Sequence, residues 1–488
     1  MSNFCSLRVL YLYGNSFCGE VPFFVENTSA FFHNSLKELE LDSNNFTGNL
    51  SSKLGDIRNL EILSLSNNSF SGPIPESIGR LSLLRSLDIH DNQLNGRILS
   101  SLGQLSKLET IDVSNNALDG PVSELHFASL TRLNELLMSS NSLVLNVSSN
   151  WVPPFRLQRI DMSSCKLGPK FPHWLQTQRH VELLFMSNAN ISDTIPEWFE
   201  DVFSDTYSLD LDLSYNQISG KLPQFPSDAF KFDLSNNLLS GNIPQIDDNT
   251  TLVLYNLLLS NNALTGAIPE YLCKMYHLEV IDLSRNQLSG GIPSCLGNLK
   301  WLKVLDLRNN SLEAGNHLKG RIPEKIGNLE QLETLDLSRN KLSGSIPPSL
   351  SALHYLSRLN LSFYNLSGQI PKGNQLQTLT DQSIYIGNYG LCGPPLLKSC
   401  PGDESDDHKH VGENKNGEKS EFLLFFYAGI GPGFLVGFLG VCGILHFQKS
   451  WRYAFFQLVD NIYNRLVVAI ELKATWMQRK FRKGEFRE

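Results

Sequence analysis

The chain of 488 residues lacks a catalytic constellation. Histidine occurs 11 times, but His90, His126 and His277 stand singly, and no spacing pairs a nucleophile with a base. The phosphate-loop, catalytic-loop and metal-binding signatures of a kinase are absent. Cysteine is sparse, with 8 residues, and Cys392 and Cys400 have no further zinc ligands beside them. These absences argue against an enzyme, and no cofactor, metal or nucleic-acid partner is expected.

The chain instead carries one pattern repeated at steps of about 24 residues. Leu60, Leu63, Leu65 and Asn68 are followed by Leu84, Leu87, Ile89 and Asn92, then by Leu108, Ile111, Val113 and Asn116. The frame returns at Leu278, Ile281, Leu283 and Asn286, and again at Leu332, Leu335, Leu337 and Asn340. Each unit of such a leucine-rich repeat contributes a strand and a turn to a stacked solenoid. The expected fold is an α/β-type repeat solenoid, a right-handed curved superhelix with a parallel concave sheet. Such an exposed sheet favours binding over catalysis. The strand leucines point inward, which places Asp88, Asp112, Asp161, Asp212, Asp282, Asp306 and Asp336 on the outward-facing side.

The turn after each strand needs partners for its backbone groups, and a stacked Asn amide offers donors and an acceptor. Fifteen such positions run from Asn15 to Tyr364, twelve of them Asn, with Cys165 as a small substitute. Ala189 and Tyr364 break this ladder and predict weaker local order. A second signature follows the Asn, as in Gly72-Pro-Ile-Pro75, Gly266-Ala-Ile-Pro269 and Gly344-Ser-Ile-Pro347. Gly permits a sharp reversal and Pro blocks ordinary helix, so this side should be irregular or short-stranded.

With both signatures in place, the repeats resemble the plant extracellular class of leucine-rich repeats, L-x-x-L-x-L-x-x-N-x-L-x-G-x-I-P. The stretch from Gly387 to Pro395 is similar to the C-terminal cap of plant receptor-like proteins. A disulfide between Cys392 and Cys400 is expected there in preference to two free thiols. Cys273 and Cys295, on consecutive repeats, either pair or remain buried thiols.

Residues 422–447 contain no Asp, Glu, Lys or Arg, a run long enough to span a bilayer. Residues 447–488 carry a net charge of +5 within a total of −8. The basic side predicts a cytosolic tail and external repeats. The organisation read from these features is about 15 repeats over 1–367, irregular near 310–320, then a cap over 368–401 and an acidic juxtamembrane segment over 402–421. One transmembrane helix over 422–447 and a short basic tail over 448–488 complete it. Gly429, Gly433 and Gly437 form a small-residue stripe suited to close helix packing. Phe455, Val459, Ile462 and Leu466 suit either an amphipathic helix on membrane lipid or a solvated tail.

Ten sequons precede the span, at Asn27, Asn45, Asn49, Asn67, Asn146, Asn190, Asn249, Asn309, Asn360 and Asn365, and each is a glycosylation candidate. The outward residues His90, Phe185, Tyr215, Arg285, Arg308 and Arg339 are ligand-surface candidates, since aromatic and Arg side chains favour binding centres.

Taken together, the chain resembles the kinase-lacking plant leucine-rich-repeat receptor-like proteins, which include fungal-resistance and xylanase-elicitor receptors. The resemblance implies a single-pass plasma-membrane receptor that binds an extracellular protein or peptide. It also implies signalling through a partner receptor kinase, engaged by the transmembrane helix, in plant defence. The chain departs from the resemblance in four places, one of them Tyr364 on the ladder. Neither a secretory signal nor an N-terminal cap precedes Met1 to Leu10, and no non-repeat island interrupts the units. Two other readings follow: a non-functional truncated receptor fragment, and a soluble repeat inhibitor of microbial hydrolases.

Overall fold

A computed structural model describes residues 7–20, 35–203, 206, 208–246, 252–310, 318–363 and 365–400. The expectations for Asn27, Asn249, Tyr364, the acidic segment, the span with its glycine stripe and the basic tail lie outside these described residues. Among the described residues, no helix is long and apolar enough to cross a membrane.

The repeat leucines build one parallel sheet of fifteen described strands in strict sequence order, from Val9–Tyr11 to Arg358–Asn360. The period sets the register. Leu63 pairs with Leu87, and Leu87 with Ile111, so each inward side chain lies on its counterpart in the next unit. The leucines of this column, such as Leu211, Leu257 and Leu335, are fully buried. Together they form one continuous core, as stacking of repeats requires.

The outer side is less regular. Short parallel strands pair in sets of six, three and four, among them Ser69–Pro73, Leu238–Asn242 and Lys341–Gly344. Between these strands and the next inner strand lie single 3₁₀ turns, including Glu76–Arg80, Glu270–Lys274 and Glu324–Asn328. The Pro of the motifs ending at Pro75, Pro269, Pro293, Pro323 and Pro347 stands immediately before such a turn and accepts its closing bond, as where Ile326 N–H donates to Pro323 O. The helical part of the α/β expectation is therefore corrected: the described residues hold one complete α-helix, Asn374–Thr378, of five residues, and the repeats carry 3₁₀ turns in its place. A unit of this length, once its strand, Asn turn and Pro are placed, has room for one tight turn and not for an α-helix.

The Asn ladder is satisfied in detail. The Asn286 amide donates to Leu259 O, Leu283 O and Ser284 O, and its Oδ1 accepts from Leu264 N–H. At Cys165 the thiol donates to Met138 O at 3.2 Å. The expected weakness at Ala189 is not seen. Ala189 is fully buried, and Asn216 reaches across to accept from both Ala189 N–H and Ile191 N–H. The Ala189 carbonyl takes the acceptor role of the missing amide, receiving Leu167 N–H at 3.0 Å and Gly168 N–H at 3.1 Å.

Near 310–320 the core stays in step despite the wider spacing. Val304 pairs with Thr334, and the Asn340 amide donates to Leu307 O across the insertion. Asn310 fills the ladder position and Leu318 the buried position, so the extra residues fall between them. At the C-terminal end the ladder gains a rung that the sequence reading missed. The Asn388 amide donates to Leu361 O and Tyr385 O, and its Oδ1 accepts from Leu366 N–H. The cap is therefore built as a further, degenerate repeat, with Gly390–Cys392 pairing onto Asn365–Gln369.

Candidate ligand-binding surface

The residues beside the buried leucines alternate onto the exposed face of the inner sheet. The Asp column lies there, yet its carboxylates also serve the backbone. Asp112, Asp161, Asp212, Asp282, Asp306 and Asp336 each accept through Oδ1 from the N–H two residues ahead, at 2.9–3.0 Å. Each closes an Asx turn at the strand end. Asp233 does the same with Ser235 N–H. The column is a structural device first, and stacking it across repeats creates like-charge repulsion.

Three cations offset that repulsion in the same way. His90 Nδ1 lies 2.6 Å from Asp88 and 3.5 Å from Asp112 of the next unit. Arg308 lies 3.3 Å from Asp306 and 3.7 Å from Asp336. Lys231 lies 2.7 Å from Asp212 and 3.3 Å from Asp233, with its ammonium 5.6 Å from the centre of the Phe185 ring. The ligand atoms of Asp88, His90 and Asp112 are close enough together to hold a metal ion. However, two non-ligating cations occupy equivalent arrangements elsewhere, so a charge clamp accounts for the cluster.

The electrostatics predict a pH dependence. The hydrogen bond to Asp88 pushes His90 up to about 9 against the opposing effect of burial, with the charges of Asp88, Asp112 and Asp91 adding. A raised His contributes stability that is complete below its ordinary value near 6.5 and lost as pH rises through about 9. His90→Ser, the residue found at this position in most units, should therefore be destabilised relative to wild type at pH 6 and converge with it by pH 10. Burial pushes Asp306 up to about 7, opposed by Arg308 and assisted by Asp336 and Asp282. Its ionisation reduces stability as pH rises from about 4 to 7, and Asp306→Asn should flatten that part of the profile. Thermal unfolding across pH checks both.

Tyr215, Arg285 and Arg339 occupy a further row, immediately before the ladder Asn. Their backbones are left-handed, with φ of 55°, 52° and 57°. Other units place Asn67, Asn115, Asn188, Asn236, Asn261 or Asn309 there, and Asn tolerates this region. A Tyr or Arg in the same place is strained by about 1 kcal/mol. Even so, Tyr215 is 64% exposed. Phe363 shares this conformation with φ 61°, and its ring lies 5.3 Å from the Arg339 guanidinium.

The structure thus brings Arg285, Arg308 and Arg339 onto three consecutive rungs, with Phe363 on the next. Phe185 and Tyr215 fall on adjacent rungs nearer the middle, and His90 stands apart in the N-terminal half. Lys231 and Phe363 were missed by the sequence reading. The signal available for Phe363 was a bulky residue immediately before a ladder position.

The remaining predicted residues are placed as follows. Cys273 and Cys295 are bonded between adjacent 3₁₀ turns with Cα atoms 5.6 Å apart, and Cys392 and Cys400 are bonded with Cα atoms 5.0 Å apart. Among the sequons, Asn45, Asn49, Asn67, Asn146, Asn190 and Asn365 are exposed, while Asn309 and Asn360 are half-buried. The Asn360 amide is engaged, donating to Asp336 and accepting from Ser362.

Residues 253–312 match a sequence model described as leucine rich repeat, and residues 59–81, 83–105 and 331–353 match a second model of the same description. Over 183 residues the chain is 35% identical to Receptor-like protein EIX2 of Solanum lycopersicum, and over 130 residues it is 41% identical to Receptor-like protein EIX1 of the same species. Over these stretches the chain is similar to plant leucine-rich-repeat receptor-like proteins. These alignments cover 33% and 22% of this chain, and only 18% and 13% of EIX2 and EIX1. Among solved structures, the plant peptide hormone receptor RGFR1 in complex with RGF2 superposes with a TM-score of 0.61 at 26% identity. That match covers 80% of this chain and 68% of RGFR1. The Arabidopsis receptor kinase HAESA, in complex with the peptide hormone IDA and the co-receptor SERK1, gives 0.51 at 29% identity and covers 80% and 76%.

Proposed function

We infer that this chain is a non-enzymatic cell-surface receptor. It binds an extracellular protein or peptide on the exposed face of the inner sheet and signals through a partner receptor kinase in plant defence. The observation that carries the reading is the strained row of Tyr215, Arg285 and Arg339. Other units place Asn, Ser or Asp at these positions, and strain retained at the exposed Tyr215 and Arg285 and the half-buried Arg339 supports a binding surface. The solved complexes of RGFR1 with RGF2 and of HAESA with IDA and SERK1 support it as precedents for this fold.

In this reading residues 422–447 cross the plasma membrane once, with the repeats outside and the basic tail in the cytosol. In this reading a partner receptor kinase carries the signal inward. The stripe of Gly429, Gly433 and Gly437 is the docking surface, because the lack of side chains there allows close helix approach. The test is co-precipitation of a receptor kinase from plant membranes with the full chain, expressed behind a supplied secretory leader. Replacing the three glycines with Leu should preserve insertion and reduce recovery of the kinase at least tenfold. Undiminished recovery would remove the docking role.

A further inference from the structure

The fixed offset between buried leucines and inner strands stacks other positions into columns as well. Leu278, Leu302, Leu332 and Leu356 are fully buried, each two residues before Val280, Val304, Thr334 or Arg358, which pair across four consecutive strands. The residues flanking these leucines therefore lie side by side along the edge of the inner sheet. One column is Tyr276, Lys300, Glu330 and His354, all exposed. The next is His277, Trp301, Gln331 and Tyr355, exposed except for the half-buried Gln331. In N-terminal units the same two positions hold mostly polar residues, such as Arg58 and Asn59, Ser106 and Lys107, or Thr131 and Arg132.

Large aromatic side chains thus reach water where the repeat has no need of them. Tyr276, Trp301 and Tyr355 are 59%, 59% and 61% exposed. Such a patch marks an interaction surface, and Trp and Tyr are the side chains that anchor interfaces. The charges beside them set the partner. Lys300 ion-pairs with Glu330 of the next unit at 2.6 Å. In a third column, on the sheet side of the leucines, Lys303 and Glu333 stand in the same order, with Glu333 N–H donating to Lys303 O at 2.8 Å. Lysine thus fills one unit and glutamate the next in both charged columns, with the tyrosines and histidines in the units on either side. None of the ten sequons falls in these columns, so the face carries no N-glycan site.

We propose that this edge is a homodimer interface, on which a second copy of the chain packs with its units running the opposite way about a two-fold axis between the Lys300 and Glu330 units. A two-fold interface requires a patch complementary to itself, and the pattern meets that condition. The axis sets Lys300 and Lys303 against Glu330 and Glu333 of the second copy, and Tyr276 and His277 against its His354 and Tyr355. Glu279, already held by Lys303 at 2.6 Å, meets Ser357. An axis through the Lys300 unit would place both lysines against themselves, and one through the Glu330 unit both glutamates. Like charges so opposed cost affinity, so the charges hold the register. The columns supply about twelve residues a side against about 20–30 in a stable interface, so a weak, micromolar dimer is expected. The proposal is independent of what the sheet face binds.

Energy transfer between donor- and acceptor-labelled full-length chains, held in an uncharged detergent, reads self-association against dilution. Wild type should associate at micromolar concentration, and Trp301→Ser with Tyr355→Ser should weaken it at least tenfold. Charge reversal separates this face from any other contact between the chains. A chain carrying Lys300→Glu and Lys303→Glu should pair with itself at least tenfold more weakly, as should one carrying Glu330→Lys and Glu333→Lys. A mixture of the two should recover most of the wild-type affinity, because every reversed charge then meets its opposite on the other chain. Lys300, Glu330 and Glu333 are exposed and Lys303 half-buried, and unchanged hydrogen exchange in the inner strands verifies folding. A monomeric wild type, undiminished self-pairing of either reversed chain, or a mixture that fails to pair would overturn the proposal. Intact self-association of the Trp301→Ser, Tyr355→Ser chain, with loss of a co-precipitated receptor kinase, would also overturn it and assign the face to a different protein.

Discussion

Asn286→Ala should destabilise the middle of the solenoid by roughly 3–5 kcal/mol, at the upper end for a single substitution. Asn286 is fully buried and makes four hydrogen bonds to backbone of its own and neighbouring units. Alanine removes every partner at once, and each orphaned buried group costs about 1–3 kcal/mol. No water reaches the site to compensate, because the flanking Leu259 and Leu283 are fully buried. Hydrogen exchange is the appropriate readout, since stability in a repeat array is local and summed over neighbours. The amide of Leu264, which donates to Asn286, should exchange about 100-fold faster or more, and the effect should fade within a few units on either side. Uniform acceleration along the whole sheet would show a single cooperative block instead.

Gly327→Ala should be comparably damaging for a steric reason. The 3₁₀ turns of neighbouring units stack so closely that a Cβ on Gly327 would lie 2.1 Å from Ser349 O and 2.5 Å from its carbonyl carbon. The obstacle is backbone, so no rotamer change relieves it. The two units must move apart, opening the core around Ile326 and Leu350, which are both buried. Overpacking of this kind costs about 3 kcal/mol or more. Gly297, whose Cβ would meet Lys325 O at 2.1 Å, should respond in the same way. Gly291 is a useful control, because its nearest obstacle lies at 3.8 Å. Thermal unfolding that leaves Gly327→Ala at the wild-type midpoint would contradict the packing described.

Much of the fold was legible because the repeat period makes one local pattern determine a global register. The leucine column, the Asn ladder and the short-stranded outer side follow from residue type and spacing alone. Three features did not, each because neighbouring units act together. Ala189 looks like a break until its carbonyl is seen to take the missing acceptor role, which depends on the distance between rungs. Asn388 was hidden because Tyr364 interrupts the series before it and the cap lacks the usual leucines. The Asp column was read as outward-facing, but its bonds to the backbone two residues ahead depend on the turn geometry. The candidate site was legible as individual residues and not as a surface. Arg285, Arg308 and Arg339 come together because the inner strands stay in register, whereas the strain at Tyr215 and the two outer arginines depends on backbone angles that sequence does not state.

The most direct test of the receptor reading removes that strained row while improving the backbone. The triple variant Tyr215→Asn, Arg285→Asn, Arg339→Asn installs the residue that other units use in the left-handed position, and should gain about 0.5–1 kcal/mol at each site. Full-length wild-type and variant chains, displayed behind the same secretory leader in plant cells, would be titrated with a fungal culture filtrate while phosphorylation of the co-precipitated kinase is measured. The account predicts a response from wild type that the variant loses, or gives only at a dose at least tenfold higher, with surface abundance equal or greater. A variant that responds at the wild-type dose, or a wild type that never responds, would contradict it.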